Sequence, residues 1–271
     1  MQYSLLALDL DDTLTNSQKE VTLRSRAAID DALDLGVCVT LASGRPVLGI
    51  APLARSLGLF GRHAYMLAYN GACLISCETN KVVWERTVGL DAIETVFTFA
   101  KAKGLASLCY DEKGVITEMP DDPFVHKEAY NNGIPIRRVE NLLLEVTKAQ
   151  PKVMIVGDPS LLIPARKELQ VLLGDRADAS FSEPCFMEIT AKGVQKATSL
   201  DVLLSLLGKA RSSLMVVGDG LNDVPMLAIA GLAVAMGNSS DEVKSHAHEV
   251  TASNDEDGVA LAIEKHILAM A

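Results

Sequence analysis

Aromatic residues are scarce in this 271-residue chain: six Phe, five Tyr and one Trp make up 4% of it. Positive charge is short as well, with 25 Lys and Arg against 35 Asp and Glu and a formal net charge of -10. Such a surface repels a polyanion and offers few rings on which bases could stack, so a nucleic-acid partner is not expected. The five cysteines form no C-x-x-C pair and have no cluster of His nearby, which argues against a zinc site or a disulfide framework. Cys38 in VCVT and Cys109 in SLCY sit in apolar, strand-like runs, where a thiol packs as a small hydrophobe rather than acting as a nucleophile. No apolar run reaches the roughly 18 residues that a membrane span requires, and Met1 leads into a strand without a basic leader. The expectation is a soluble, cytoplasmic protein with no membrane partner.

What is present is apolar mass: 49% of residues are hydrophobic, enough for a core in each of two domains. Ser4 to Leu10 (SLLALDL) reads as a buried parallel strand, and Thr22 can cap a helix that runs to about Leu35 and ends at Gly36. The run Val37 to Ala42 is the next strand, a helix opens at Pro46, and Tyr65 to Ala68 is a further strand. Strands alternating with helices imply an α/β fold with a doubly wound parallel sheet. The rhythm changes after Asn70. A hairpin over Gly71–Cys77 and Lys81–Trp84 leads into a segment from about Glu85 to Pro184 that reads as an inserted α+β domain. Within it Pro120, Pro123, Pro135 and Pro151 interrupt the helical pattern, whereas Pro159 to Leu173 is a good amphipathic helix. The α/β rhythm then resumes, with a helix over Val194–Leu207, strands over Ser213–Val217 and Leu232–Met236, a helix over Val224–Ala230 and a last helix from Gly258. The division expected is a core built from residues 1–84 and 187–271, with an inserted domain over residues 85–186.

Chemistry concentrates in two acidic clusters far apart in sequence. Asp9-Leu10-Asp11-Asp12-Thr13 follows the first strand, and Gly218-Asp219-Gly220-Leu221-Asn222-Asp223 follows the strand at Ser213. In open α/β sheets ligands bind at the carboxyl ends of the strands, so these clusters are expected to be two halves of one site. Carboxylates gathered there repel one another unless a cation or a proton intervenes, and hard oxygen donors suit Mg²⁺. If the strand runs on through the first cluster, Asp9 and Asp11 face one cavity and Leu10 the core. One acid could then attack a phosphoryl group while the other protonates the leaving oxygen. Acids after a strand also cap turns, so D-x-D says little without its partner cluster. Ser43-Gly44-Arg45, at the end of a strand, and Lys196, near the start of a helix, are candidates to hold phosphate oxygens.

Taken together, these residues resemble the haloacid dehalogenase superfamily, and within it the Cof-type sugar-phosphatase-like hydrolases with a large α/β cap of type IIB. The first motif, D-x-D-x-T-L, matches Asp9, Asp11, Thr13 and Leu14; the second matches Ser43 with Gly44 and Arg45; the third matches Lys196; and the fourth, G-D-x-x-N-D, matches Gly218 to Asp223. The Asn70-Gly71-Ala72 tripeptide and an insert between the second and third motifs fit that subgroup. The resemblance implies a Rossmann-like core with Asp9 as nucleophile and Asp11 as general acid and later base. It implies that Mg²⁺ is held by Asp9, the main-chain carbonyl of Asp11 and Asp219, with Asp223 binding through water. Ser43, Gly44, Arg45, Asn70 and Asn222 would contact phosphate or substrate, and Lys196 would neutralise Asp9. Asp12 stands where the family more often has Gly, and Lys192 is a rival for the lysine role, the Gly-Val spacing favouring Lys196. Further candidates for substrate contacts are His126, Glu183, Tyr110 and Phe186.

The activity expected is Mg²⁺-dependent hydrolysis of a small phosphorylated metabolite, a sugar phosphate above all, through an aspartyl-phosphate, by a monomer or weak homo-oligomer. A phosphomutase of the same superfamily passes the phosphoryl group to a sugar hydroxyl instead of water, and a non-catalytic phosphometabolite binder needs no nucleophile.

Overall fold

The computed structural model describes residues 2–270. Its Cα framework separates into two compact units, the first comprising residues up to Ser43, Ile50–Trp84 and Gln195 onward, the second Gly44–Gly49 with Glu85–Val194.

The strands in chain order begin with β1 (Leu5–Leu8), β2 (Cys38–Ala42), β3 (Ala64–Ala68), β4 (Cys73–Ser76) and β5 (Lys81–Glu85). The inserted segment contributes β6 (Ala106–Tyr110), β7 (Val115–Thr117), β8 (Ile136–Arg138), β9 (Lys152–Val156), β10 (Ala177–Glu183) and β11 (Phe186–Ala191). The chain then returns through β12 (Leu214–Gly218), β13 (Leu232–Ala235) and β14 (Glu249–Val250).

The first unit is an eight-stranded sheet in the order β14-β13-β12-β1-β2-β3-β4-β5. Its pairings from β14 to β3 are parallel, and β4 joins β3 antiparallel. Strands β1, β2 and β12 are buried along their whole length because helices cover both faces, the signature of continuous apolar runs such as LLAL and LMVVG. On one face Leu5, Ala7, Leu214 and Val216 pack with Leu200, Leu203 and Leu204 of the helix Lys196–Leu206 and with Met226 and Leu227. Strands β1 and β12 are neighbours, so the chain order reverses around them and their carboxyl ends share one crevice.

The second unit holds a six-stranded mixed sheet, ordered β10-β11-β9-β6-β7-β8. Ile93, Val96, Phe97, Val153, Ile155, Leu162 and Leu169 supply part of its own core. One proline behaves otherwise than expected. Pro123 opens the helix Pro123–Asn132 at its first turn, where no backbone donor is needed, and Asp122 caps it by accepting from the amides of Phe124 and Val125. The loop Gly44–Gly49 belongs with this unit although it directly follows β2.

Strand β1 stops at Leu8 instead of running on to Leu10. Residues Leu10–Leu14 form a wide turn closed by the Thr15 amide, which donates to the Leu10 carbonyl at 2.9 Å. Asp12 inside it adopts φ 59°, a left-handed conformation that Gly enters without strain. That backbone accounts for the preference for Gly at this position in the resembling family.

Candidate active site

Because β1 ends early, Asp9 and Asp11 do not share a face by strand alternation. Asp9 is buried, its amide donating to the Val217 carbonyl of β12 at 3.0 Å. Asp11 lies in the turn with its side chain 42% exposed and a carboxylate oxygen 3.6 Å from Lys19 Nζ. Asp12 is likewise on the surface, 3.3 Å from the same ammonium.

The buried centre is assembled from three sequence-distant pieces. Lys196, the first residue of its helix, has a fully buried side chain whose ammonium donates to Asp9 Oδ1 and, at 2.6 Å, to Asp223 Oδ1. Asp223 Oδ2 accepts the amides of Asp219 and Gly220 at 3.1 and 3.0 Å, which folds the segment after β12 back on itself. A Cβ at Gly218 would stand 2.8 Å from the Asp223 carboxylate, and one at Gly220 would collide with Asn222 Oδ1. Asp219 Oδ1 accepts from the Thr13 hydroxyl at 2.6 Å. Lys192, the rival lysine, points elsewhere and pairs with Asp178 at 2.9 Å.

Asp9, Asp219 and Asp223 each bring an oxygen to within 4.8 Å of the others, with Lys196 as the ammonium among them. One positive charge for three carboxylates leaves the cluster short of cation. Burial pushes the Asp9 carboxyl well above the ordinary range, and neighbouring Asp223 adds to this against the pull of Lys196. Burial likewise pushes Asp219 up to about 6, opposed by the Thr13 hydroxyl and reinforced by Asp223. For Lys196, burial alone would favour the neutral amine, but Asp223 and Asp9 outweigh it and hold the ammonium charged. An all-oxygen, under-neutralised donor set fits a hard divalent cation such as Mg²⁺.

Ser43 follows β2, the strand beside β1, and is buried. Its amide donates to the Leu67 carbonyl at 2.9 Å, and its carbonyl accepts the Asn70 amide at 3.0 Å. Tyr69 and Asn70 both take φ 54°, a strained pair of left-handed residues that persists only because neighbours fix it. Ser199 is one such neighbour, since its hydroxyl donates to the Gly71 carbonyl. A Cβ on Gly71 would lie 2.6 Å from Ser199 Oγ and 2.7 Å from the Gln195 carbonyl. The Asn70-Gly71 turn therefore docks onto the first turn of the helix that carries Lys196.

The structure thus joins Asp9, Lys196, Asp219 and Asp223 in one cluster, with Ser43 and Asn70 tied to each other at the ends of β2 and β3. The Asp11 carboxylate is not one of the three that lie within 4.8 Å of one another, and Asn222 is exposed. Gly44 and Arg45 are grouped with the second unit. There, too, Tyr110 donates to Glu128 at 2.5 Å, Glu183 pairs with Lys127, the ring of Phe186 lies beneath that lysine, and His126 is exposed. Sequence reasoning missed Ser199 and Lys19. Ser199 lies three positions after Lys196 and hence on the same helical face, a spacing that could have singled it out.

Residues 6–263 match the family described as haloacid dehalogenase-like hydrolase. The chain belongs to that family. A solved haloacid dehalogenase-like hydrolase from Bacteroides thetaiotaomicron is 40% identical, with a TM-score of 0.94 over 97% of this chain and 99% of that one. A structure described as a HAD subclass IIB sugar phosphatase gives 25% identity and a TM-score of 0.78 over 97% of this chain and 98% of its own. Among relatives, the 5-amino-6-(5-phospho-D-ribitylamino)uracil phosphatase YcsE of Bacillus subtilis (strain 168) is 30% identical, the match covering 97% of this chain and 96% of the relative. The haloacid dehalogenase-like fold and the standing of the chain as a hydrolase follow, and the resemblance read from the four motifs is borne out. No helix among the described residues is long and apolar enough to cross a membrane.

Proposed function

We propose that this haloacid dehalogenase-like hydrolase is a Mg²⁺-dependent phosphatase acting on small phosphomonoesters, sugar phosphates or similar polyol phosphates, through an aspartyl-phosphate on Asp9. The observation that carries the reading is the buried cluster in which Lys196 bridges Asp9 and Asp223 beside Asp219. A mere phosphate binder gains nothing from burying a carboxylate where an anion must approach it; a nucleophile has to be there. The names of the sugar phosphatase and of the ribitylaminouracil phosphatase support the substrate class.

Asp9, the Asp11 carbonyl and Asp219 would hold Mg²⁺, with Asp223 behind them. When bound, the cation offsets the repulsion between the phosphate and Asp9 and stabilises charge on the phosphoryl oxygens. An Asp9 carboxylate oxygen forms a bond to phosphorus as the ester P–O bond breaks. The proton for the leaving oxygen comes from Asp11, a role that rests on the family resemblance, since its carboxylate here faces Lys19. Asp11 then takes a proton from the water that attacks the aspartyl-phosphate, and Asp9 is regenerated as inorganic phosphate departs. Lys196 keeps Asp9 ionised and oriented throughout. Ser43 and the main chain after it offer donors to the phosphoryl oxygens.

A panel of phosphorylated sugars and polyols, assayed with Mg²⁺ and with excess chelator, tests the proposal. Free phosphate should be released only with Mg²⁺, and Asp9→Asn should abolish release while leaving the protein folded. Turnover that survives complete chelation would overturn the metal assignment, and isomerised sugar phosphate without free phosphate would establish a mutase instead.

A further inference from the structure

The loops that follow β13 and β14 reach across to the turn after β1, and nothing in the chemistry above uses them. Asn238 Nδ2 donates to the Asp12 carbonyl at 2.8 Å, and Asn238 Oδ1 accepts the Asn254 amide at 3.1 Å. Asn254 donates in turn through Nδ2 to the Thr15 carbonyl at 3.1 Å. The turn is closed from inside between Thr15 and Leu10 and gripped from outside at residues 12 and 15.

The need to satisfy hydrogen bonds does not account for this grip, because water can serve a carbonyl on a surface turn and holding a side chain still costs entropy. Asn238 is exposed, yet both of its polar atoms are committed to the protein. Aspartate, of the same shape, would have no donor for Asp12. The base of the grip is stiff. The Gly237 amide donates to the Ala252 carbonyl at 3.0 Å, Lys244 Nζ donates to the Gly237 carbonyl at 2.7 Å, and a Cβ on Gly237 would stand 2.8 Å from the Ser253 nitrogen.

What the grip fixes follows from peptide planarity. The Asp12 carbonyl shares one planar unit with the Thr13 amide, so holding its oxygen sets the plane from which Thr13 hangs. Thr13 is buried, and its hydroxyl donates to Asp219 Oδ1 at 2.6 Å. Asp12, at φ 59°, occupies a region that a side chain disfavours, so this segment needs support from its neighbours. Contacts therefore run from Asn254 through Asn238 and the Asp12–Thr13 peptide to Asp219, one of the three acids that bring oxygens within 4.8 Å of one another.

We infer that Asn238, braced by Asn254, is a positioning residue that places the Thr13–Asp219 pair and so sets the spacing of Asp9 and Asp219 for a divalent cation. The inference rests on the metal-binding part of the proposed function. Outer partners of this kind change metal affinity about 10–100-fold without touching the ion.

The test titrates substrate-free protein with Mg²⁺ alone and reads the dissociation constant from the rise in Tm, for the wild type, Asn238→Ala and Asn254→Ala. Asn238→Ala should weaken Mg²⁺ binding about tenfold, and backbone hydrogen exchange over residues 12–16 of the metal-free protein should quicken about tenfold. Asn254→Ala keeps its own amide for Asn238 and loses only the hold on Thr15, so each readout should move about threefold. With an activated aryl phosphate, turnover of Asn238→Ala should return to within about threefold of the wild type once Mg²⁺ saturates, and a failure to return would overturn a role confined to placing the metal site. Ser240→Ala removes the cap on the Val243 amide in the same loop without touching the turn, and should lower Tm while leaving Mg²⁺ affinity and exchange unchanged. Should Asn238→Ala behave like Ser240→Ala, the inference is overturned; were Asn238→Ala unable to fold, wild-type values in Asn254→Ala would be just as decisive against it. A wild type that binds no Mg²⁺ would bring down the metal reading, whereas exchange over residues 12–16 would still decide whether Asn238 holds the turn.

Discussion

Asp223→Asn changes one oxygen to nitrogen and should nonetheless be among the most damaging substitutions in the chain. The native carboxylate accepts three hydrogen bonds, from Lys196 Nζ at 2.6 Å and from the amides of Asp219 and Gly220 at 3.1 and 3.0 Å. An asparagine keeps a single acceptor oxygen. If that oxygen stays with Lys196, an NH₂ group faces two amides that then have no acceptor; if it turns to the amides, the NH₂ faces an ammonium. A hydrogen bond to a charged group contributes about 1.5–3 kcal/mol, and an orphaned buried donor costs about 1–3. Relief of the repulsion between Asp223 and Asp9 offsets part of this, leaving a net loss of about 2–4 kcal/mol. Urea unfolding in chelator should show it, with Asp201→Asn as control, because that exposed acid pairs with Arg211 at the surface and should cost under about 1 kcal/mol. Turnover should drop about a hundredfold or more, since Lys196 and Asp219 both lose the group that places them. A variant within about 0.5 kcal/mol of the wild type and of near-normal kcat would refute the idea that Asp223 organises this site.

The remaining predictions concern protons, backbone and leaving group. In metal-free protein the Asp219 carboxyl sits at about 6 against an ordinary 3.8, so the folded state binds more protons than the unfolded chain across that window. Its contribution to stability is therefore present at low pH and lost as pH rises from about 4 to about 6, and the gain in Tm on adding Mg²⁺ should be larger at about pH 7.5 than at about pH 5. Equal gains at both would remove Asp219 from the metal site. Gly71→Ala adds a Cβ 2.6 Å from Ser199 Oγ at φ 103°, so it should cost more than about 1 kcal/mol in thermal melts and slow turnover by shifting the start of the Lys196 helix. Asp11→Asn should slow single-turnover phosphorylation by a sugar phosphate about 10²–10⁴-fold and by an activated aryl phosphate far less, because the latter needs little proton donation. Equal losses would show that Asp11 is not the acid.

The sequence was most legible where one physical signal dominates. Runs such as LLAL and LMVVG have no reading other than strands buried on both faces, and the acids that follow them had to meet if those strands paired. It was least legible where backbone geometry decides. Nothing in D-L-D-D-T-L announces that the regular strand ends at Leu8 and that the chain then coils into a wide turn, so strand alternation is not what places Asp9 and Asp11. Tertiary partners were equally hidden. Lys192 and Lys196 differ in sequence by spacing alone, yet one meets Asp178 at the surface and the other Asp9 in the core. Lys152 follows Pro151 and looks like an ordinary strand-edge lysine until β11 and the loop after Ser43 close around it.

The two buried lysines differ in how many acids share their charge, and that difference bears on the proposed cation. Around Lys152 stand Glu188 and Glu128; Tyr110 and Asn132 donate to the second, whose carboxyl burial pushes up against the pull of Lys152 and those donors. Glu188 accepts directly from the ammonium at 2.7 Å. Around Lys196 stand Asp9, Asp219 and Asp223. Asp223 spends its oxygens on the ammonium and two amides, and Asp219 has one oxygen on Thr13. Asp9 shares that same ammonium, so a single positive charge serves all three acids. A proton can neutralise such a group only by removing the nucleophile, because a protonated Asp9 does not attack phosphorus. A divalent cation neutralises the same charge and leaves the carboxylate oxygen reactive. The shortage of positive charge at this cluster is the physical ground for the metal dependence proposed above.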